Sequence, residues 1–163
     1  MSVFYRYIRP KRFNPKRVEL ITLPQGGICL RFERLPEGDL FFTYSRCHPS
    51  EHFNKDVARV IADDRAKVAK ENESVLGLLR RIPDSQLTDL LVHACALRCA
   101  KMEKELENEP SVLVRDYMAH EYFQFGEHLK NLYARNIKEE EHCESWKRVN
   151  ADLWQIAYKA GEK

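Results

Sequence analysis

Residues 18–46 read VELITLPQGGICLRFERLPEGDLFFTYSR, and this stretch decides the fold. Val18 to Leu23 is apolar and β-branched, and Pro24-Gln25-Gly26-Gly27 reads as a turn. Ile28, Leu30 and Phe32 then alternate with Cys29, Arg31 and Glu33, the period-two pattern of a strand with one buried face. Leu35-Pro36-Glu37-Gly38 supplies a second turn, with proline fixing φ and glycine accepting a positive one. Leu40, Phe42 and Tyr44 alternate with Phe41, Thr43 and Ser45. Three antiparallel strands follow, or four if Val3 to Ile8 pairs at an edge. Their apolar face needs a cover.

Working outward, the chain changes character near residue 48. Four of the seven prolines and three of the six glycines precede Cys47. Beyond it the hydrophobic period becomes helical. Phe53, Val57, Val60, Ile61 and Val68 form a stripe padded by Ala58, Ala62, Ala66 and Ala69, so this helix is the expected cover, with Ser50 or Asn54 as its cap. A second helix is expected from about Asp84, on Leu87, Leu91, Cys95, Met102 and Leu106. Glu71 to Arg81 fits either a short helix or a loop. Val114, Met118, Tyr122, Phe125, Leu129 and Leu132 define a third helix opened by Pro110 and Ser111, in which Gly126 suggests a close helix contact or a bend. A fourth is predicted from about Glu139 to Ala160 on Trp146, Val149, Leu153, Ile156 and Ala157, its first turn being Glu139-Glu140-Glu141. The fold class expected is α+β: an N-terminal antiparallel sheet of three or four strands, then a mainly helical C-terminal two-thirds. Residues 1–163 are expected to form a single domain, with 1–47 β-rich and 48–163 helical.

Composition narrows the function classes. The chain of 163 residues is 44% hydrophobic and 32% charged, the balance of a globular protein with a core of its own. No apolar run approaches a membrane span, and the basic opening lacks the apolar core of a secretory signal. Five cysteines without framework spacing suit a reducing, cytoplasmic setting.

Charge is distributed unevenly. The first 65 residues hold 12 Lys/Arg against 8 Asp/Glu, whereas residues 101–145 hold 6 against 11. Arg6, Arg9, Lys11, Arg12, Lys16 and Arg17 meet no acid before Glu19, and Phe4, Tyr5, Tyr7 and Phe13 are interleaved with them. Such a segment can contact nucleic acid, since guanidinium groups suit phosphate and rings suit bases. It can also seat on an acidic protein surface, or be a solvated edge strand. Arg46, Lys55, Arg59 and Arg65 form a second basic group at the expected strand-to-helix junction, readable also as a solvated helix face.

Chemistry-bearing motifs are sparse. Cys47, His48 and His52 are the nearest approach to a zinc cluster, with the histidines at i,i+4 if they share a helix. A structural site needs a fourth ligand, which Cys143, His142 or the Cys95/Cys99 pair would have to bring from afar. No metal and no cofactor is therefore expected. His120-Glu121 lacks the second histidine of a metalloprotease helix, and there is no phosphate-binding glycine loop and no GxSxG. Cys95 and Cys99 fall on an apolar helix side, where cysteine serves as a small core residue. No catalytic residue is assigned, and an enzyme is not expected.

Phe42-Thr43-Tyr44-Ser45-Arg46-Cys47-His48-Pro49, followed by Phe53-Asn54-Lys55, Ala58-Arg59, Ile61-Ala62 and Arg65, resembles a strand-to-helix signature of small phage and mobile-element accessory proteins. That signature joins a Cys-x-Pro turn to Phe-Asn-Lys and then to Gly-Arg and Ile-Ala pairs, with Ala58 here in place of the glycine. The resemblance covers residues 42–65 and implies an accessory role, with no activity attached. The leading expectation is a small intracellular binding protein, not an enzyme, that modulates a host or competitor macromolecular complex such as a defence system or transcription machinery. Direct nucleic-acid binding through the basic N-terminal segment is the alternative, and a zinc- or thiol-dependent enzyme the third. Homodimerisation through the aromatic-rich C-terminal helices is a further expectation.

Overall fold

The computed structural model describes residues 2–71, 77–80 and 89–161. Strands β1 (Val3–Ile8), β4 (Gln25–Arg34), β5 (Leu40–His52) and β6 (Leu78–Leu79) form one antiparallel sheet in the order β1-β4-β5-β6. Strands β2 (Lys11–Asn14) and β3 (Glu19–Thr22) form a separate hairpin. Helices α1 (Lys55–Glu71), α2 (Asp89–Glu105) and α3 (Val112–Gly161) complete the elements of the described residues, with a short 3₁₀ turn at Leu106–Asn108. The protein is thus α+β, with an N-terminal four-stranded sheet and a mainly helical C-terminal part. No helix among the described residues is long and apolar enough to cross a membrane.

The alternating residues behave as their period requires. Phe32 of β4 pairs with Phe4 of β1 and Phe42 of β5, so three rings cross the sheet in one row. Their face also carries Ile28, Leu30, Leu40 and Tyr44, and it packs on Leu91, Cys95, Cys99 and Met102 of α2 and Phe125, Leu129 and Leu132 of α3. The cover of the apolar face is therefore the α2–α3 pair, not the helix that follows the sheet in sequence. A Cβ built on Gly126 would lie 3.2 Å from the Ala96 carbonyl oxygen and 3.3 Å from the Cys99 Cβ, so glycine permits a close helix contact there.

Helix α1 covers the opposite face, which carries Arg31, Glu33, Thr43 and Ser45, and it presents its alanines. Ala58, Ala62 and Ala66 are buried, while Val57 and Val60 are 54% and 58% exposed and Ile61 and Val68 also face solvent. The expected valine stripe is thus on the outside. The cause is chemical fit: small side chains let the helix approach closely enough for Thr43 Oγ1 to donate to the Ala62 carbonyl at 2.9 Å and Ser45 Oγ to the Ala58 carbonyl at 2.8 Å. These bonds satisfy hydroxyls that burial would otherwise leave costly. Asn54 caps α1, its Oδ1 accepting from the backbone N–H groups of Asp56 and Val57.

Other boundaries move as well. Strand β5 continues through Cys47-His48-Pro49 to His52, where a turn was expected, and the helical part begins at Lys55. Its partner β4 includes Gln25, Gly26 and Gly27, expected as a turn. Here the register shifts between Gln25 and Gly27, with φ of 77° and 134° at the two glycines. Pro49, whose Cα would lie 3.3 Å from a Cβ on Gly26, is accommodated at this irregularity, where a missing N–H is tolerated. Val18 to Leu23 contributes β3 to the hairpin instead of a strand to the main sheet.

The two helices expected at Pro110 and Glu139 are one helix of 50 residues. No glycine or proline lies between Gly126 and Gly161, so nothing in the backbone ends it. Glu139-Glu140-Glu141 accordingly lies within the helix. The start expected at Asp84, and Leu87, lie outside the described residues, as does most of the ambiguous stretch around Gly77.

Candidate functional site

The basic N-terminal segment is folded. Residues 3–8 form the sheet edge β1, and residues 11–22 form the hairpin, which is fastened to the middle of α3. The buried Asn136 does the fastening. Its Oδ1 accepts from the Lys11 N–H at 3.0 Å, and its Nδ2 donates to the Arg9 carbonyl at 2.8 Å. One helical turn further, Glu139 Oε2 accepts from the Phe13 N–H at 2.6 Å, and Glu140 pairs with the Lys11 ammonium at 2.9 Å. Phe13 is buried against the rings of His142 and Trp146.

On the α1 side of the sheet, cations and rings alternate. The Arg9 guanidinium lies 4.2 Å from the Phe53 ring centre, and Phe53 meets Tyr7 edge-on at 5.8 Å. Lys55 lies 5.0 Å from the Tyr7 ring, and Arg59 lies 5.7 Å from Tyr7 and 5.0 Å from Tyr5. Arg59 Nε also donates to the Tyr7 hydroxyl. The ladder ends in an ionic anchor: Tyr5 donates to Asp63 Oδ1 at 2.6 Å, and Arg31 Nε donates to the same oxygen at 2.8 Å. Burial, reinforced by Asp63, raises the Tyr5 hydroxyl pKa. Behind it, Glu33 accepts from Lys70 at 2.7 Å and lies 3.5 Å from Arg31. Burial alone would raise the Glu33 carboxyl pKa, but Lys70 and Arg31 outweigh it and hold the group below its ordinary value.

The ten basic residues picked out in the sequence therefore separate into groups. Arg9, Lys55 and Arg59 belong to the ladder. Arg46 and Arg65 instead converge on Glu121 of α3, at 3.7 and 3.9 Å, and Arg65 lies over Tyr44. Lys11 is held by Glu140, and Arg6 lies 5.4 Å from the Phe4 ring centre. Arg12, Lys16 and Arg17 are exposed on the hairpin, with Arg17 4.0 Å from Glu19. All four interleaved rings are engaged internally: Phe4 by Phe32 and Arg6, Tyr5 and Tyr7 by the ladder cations, and Phe13 by α3. Their stacking partners are groups of this chain, which leaves guanidinium edges as the outward chemistry.

The thiol and zinc candidates have different surroundings. His48 and His52 both lie in β5, so the helical i,i+4 spacing does not apply to them. The Cys47 thiol faces the backbone oxygens of His48, Glu51 and His52, and His48 Nδ1 bonds to Ser50 Oγ. Among the described residues no three His, Cys, Asp or Glu side chains are grouped to hold a metal ion. Burial pushes the Cys29 thiol up to about 11 and the Cys99 thiol up to about 12, and it raises Cys95 well above its ordinary value. At neutral pH these three carry almost no thiolate, the nucleophilic form.

Sequence reasoning missed Asn136, Glu139 and Asp63 as organising residues. Asn136 has a readable signal, since it continues the buried series Phe125, Leu129 and Leu132 at the next helical step, a polar residue in an apolar slot. The ladder has none, because it joins positions distant in sequence. No protein-family model matches the chain, and neither does any curated protein or solved structure.

Proposed function

We propose that the protein is a cytoplasmic binding protein, not an enzyme, that modulates a host or competitor macromolecular complex, a defence system or transcription machinery being the apt type. Its partner presents an acidic protein surface, and the contact is made by the ladder on β1 and α1 together with the hairpin cations Arg12, Lys16 and Arg17. A phage or mobile-element origin rests on the resemblance of residues 42–65.

The observation that carries this reading is the packing of the exposed Arg59 against Tyr5 and Tyr7, with its Nε fixed by the Tyr7 hydroxyl; Arg9, held over Phe53, is already committed to the Leu23 carbonyl. A guanidinium held by rings has surrendered rotamer freedom in advance, and the two Nη groups of Arg59 remain available to an acceptor. It can then grip a carboxylate with two parallel bonds at a lower entropic cost than a mobile side chain. The exposed hairpin cations favour phosphate contact as a second reading, with the same surface on a nucleic-acid backbone.

Capture from host lysate, with and without nuclease, tests both. Arg59→Glu combined with Arg12→Glu should abolish capture while the circular dichroism spectrum is retained, and capture should survive nuclease. Loss of capture with nuclease would favour the nucleic-acid reading. Full capture by the folded charge-reversed variant, with loss on Cys47→Ser, would overturn the proposal in favour of thiol chemistry.

A further inference from the structure

The last part of α3 stands clear of the body. Beyond Trp146, which touches Phe13, residues 147–161 are exposed apart from the half-buried Asn150. At 1.5 Å per residue this projection is about 22 Å long. Its surface is not that of a solvated helix: Leu153, Trp154 and Ile156 are 59%, 73% and 65% exposed, and Val149 and Tyr158 are exposed with them.

One set of the apolar residues follows a definite spacing, with Trp154 and Tyr158 outside it. Trp146, Val149, Leu153, Ile156 and Ala160 step by three, four, three and four, which is the a/d repeat of a helix that pairs with another helix. The residues that flank this seam at the g positions are Asp152 and Lys159, one acid and one base a heptad apart.

We infer that this projecting segment pairs with the same segment of a second copy of the chain, antiparallel, with Leu153 of each copy opposite Ile156 of the other. In an antiparallel pair, g positions face g positions. With Leu153 opposite Ile156, Asp152 of each copy faces Lys159 of the other, and two ion pairs close the seam. Slipping the register one heptad in either direction sets Asp152 against Asp152 or Lys159 against Lys159, a repulsive juxtaposition. A parallel pair places Asp152 beside Ala157 and forms no ion pair. The antiparallel register also fits the body: Gly161 comes opposite Arg148, short of the place where Phe13 packs on Trp146. Asn150 faces Ala157, which leaves room for the amide. The contact is isologous, so it closes at two copies. It uses no residue of the proposed basic surface and stands independently of that reading.

Sedimentation velocity across a concentration series tests the pairing. The wild type should show a concentration-dependent monomer–dimer equilibrium. Asp152→Lys and Lys159→Asp should each weaken it by about ten-fold or more, since each variant alone faces like charges across the seam. Mixing the two variants should restore association, because every pair across the mixed dimer is then complementary. Both substitutions lie on the exposed projection, outside the folded body, and the circular dichroism spectrum should be retained. A wild type that remains monomeric at every concentration would overturn the inference, as would single variants that associate as well as the wild type or a mixture that gains nothing.

Discussion

Asn136→Ala is the most informative perturbation of the fold, because this buried amide makes two of the bonds that hold the chain around the hairpin to α3, beside those of Glu139 and Glu140. The substitution strips the Lys11 N–H and the Arg9 carbonyl of their partner in a partly buried setting. A buried backbone group left unsatisfied costs about 1–3 kcal/mol. Two such groups, with water able to reach the rim, set the expected loss at about 2–3 kcal/mol. For a chain of this size that is a fall of about 4–12 °C in Tm. Asn136→Asp keeps an acceptor for the Lys11 N–H but turns a carboxylate oxygen toward the Arg9 carbonyl, so it should be at least as destabilising at neutral pH. Thermal unfolding gives the size of the effect, and amide hydrogen exchange locates it: Lys11 should lose protection, whereas Phe32 and Phe42 in the main sheet should exchange as in the wild type wherever local opening governs. An unchanged Tm with unchanged Lys11 protection would refute the account of Asn136 as the fastening residue.

Helix α1 offers a test of which face is buried: Ala62→Leu should cost about 1–3 kcal/mol by overpacking, while Val60→Ser on the exposed side should stay within about 0.5 kcal/mol. Denaturant unfolding that ranks the two the other way would return the valine stripe to the interior. The Glu33 carboxyl has a folded-state pKa below its ordinary 4.5, so the stability it contributes is present above that value and is lost as pH falls through the folded pKa. Stability measured against pH should therefore show the gap between wild type and Glu33→Gln closing in acid. A gap that stays constant down through that range would remove the Lys70–Glu33 pair as its source.

How much of this was legible depends on whether the information is local. The period-two runs at Ile28–Phe32 and Leu40–Tyr44 report a buried face, and the structure buries that face. They do not report which helix covers it. Alternation identifies an apolar side but says nothing of affinity for a particular partner, and the hydroxyls of Thr43 and Ser45 drew α1 to the other face through bonds to helix carbonyls. Periodicity in α1 was misleading for the same reason: Val57, Val60, Ile61 and Val68 are the more hydrophobic residues, yet Ala58, Ala62 and Ala66 permit the closer approach. The 50-residue α3 could have been read from the absence of any breaker between Gly126 and Gly161. The triple glutamate suggested an N-terminus because acids favour that end. Here two of those carboxylates, Glu139 and Glu140, instead engage the hairpin.

The uneven charge of the sequence acquires a structural meaning from these contacts. The acidic stretch of 101–145 receives cations from the basic N-terminal part, at Glu140 for Lys11 and at Glu121 for Arg46 and Arg65. Some of the opposing charge is thus paired within the chain, where it orients the hairpin, β5 and α1 relative to α3. What faces outward is smaller and better defined than a count of lysines and arginines implies. Of the basic residues picked out in the sequence, it comprises the hairpin cations Arg12, Lys16 and Arg17, with Arg6 and the ring-held Lys55 and Arg59 of the ladder. Because Asp63 ties Tyr5 to Arg31 beneath that ladder, its geometry is set by the sheet and α1 together. A surface built this way discriminates by the placement of acceptors on its partner, which a loose basic tail of equal charge would not do.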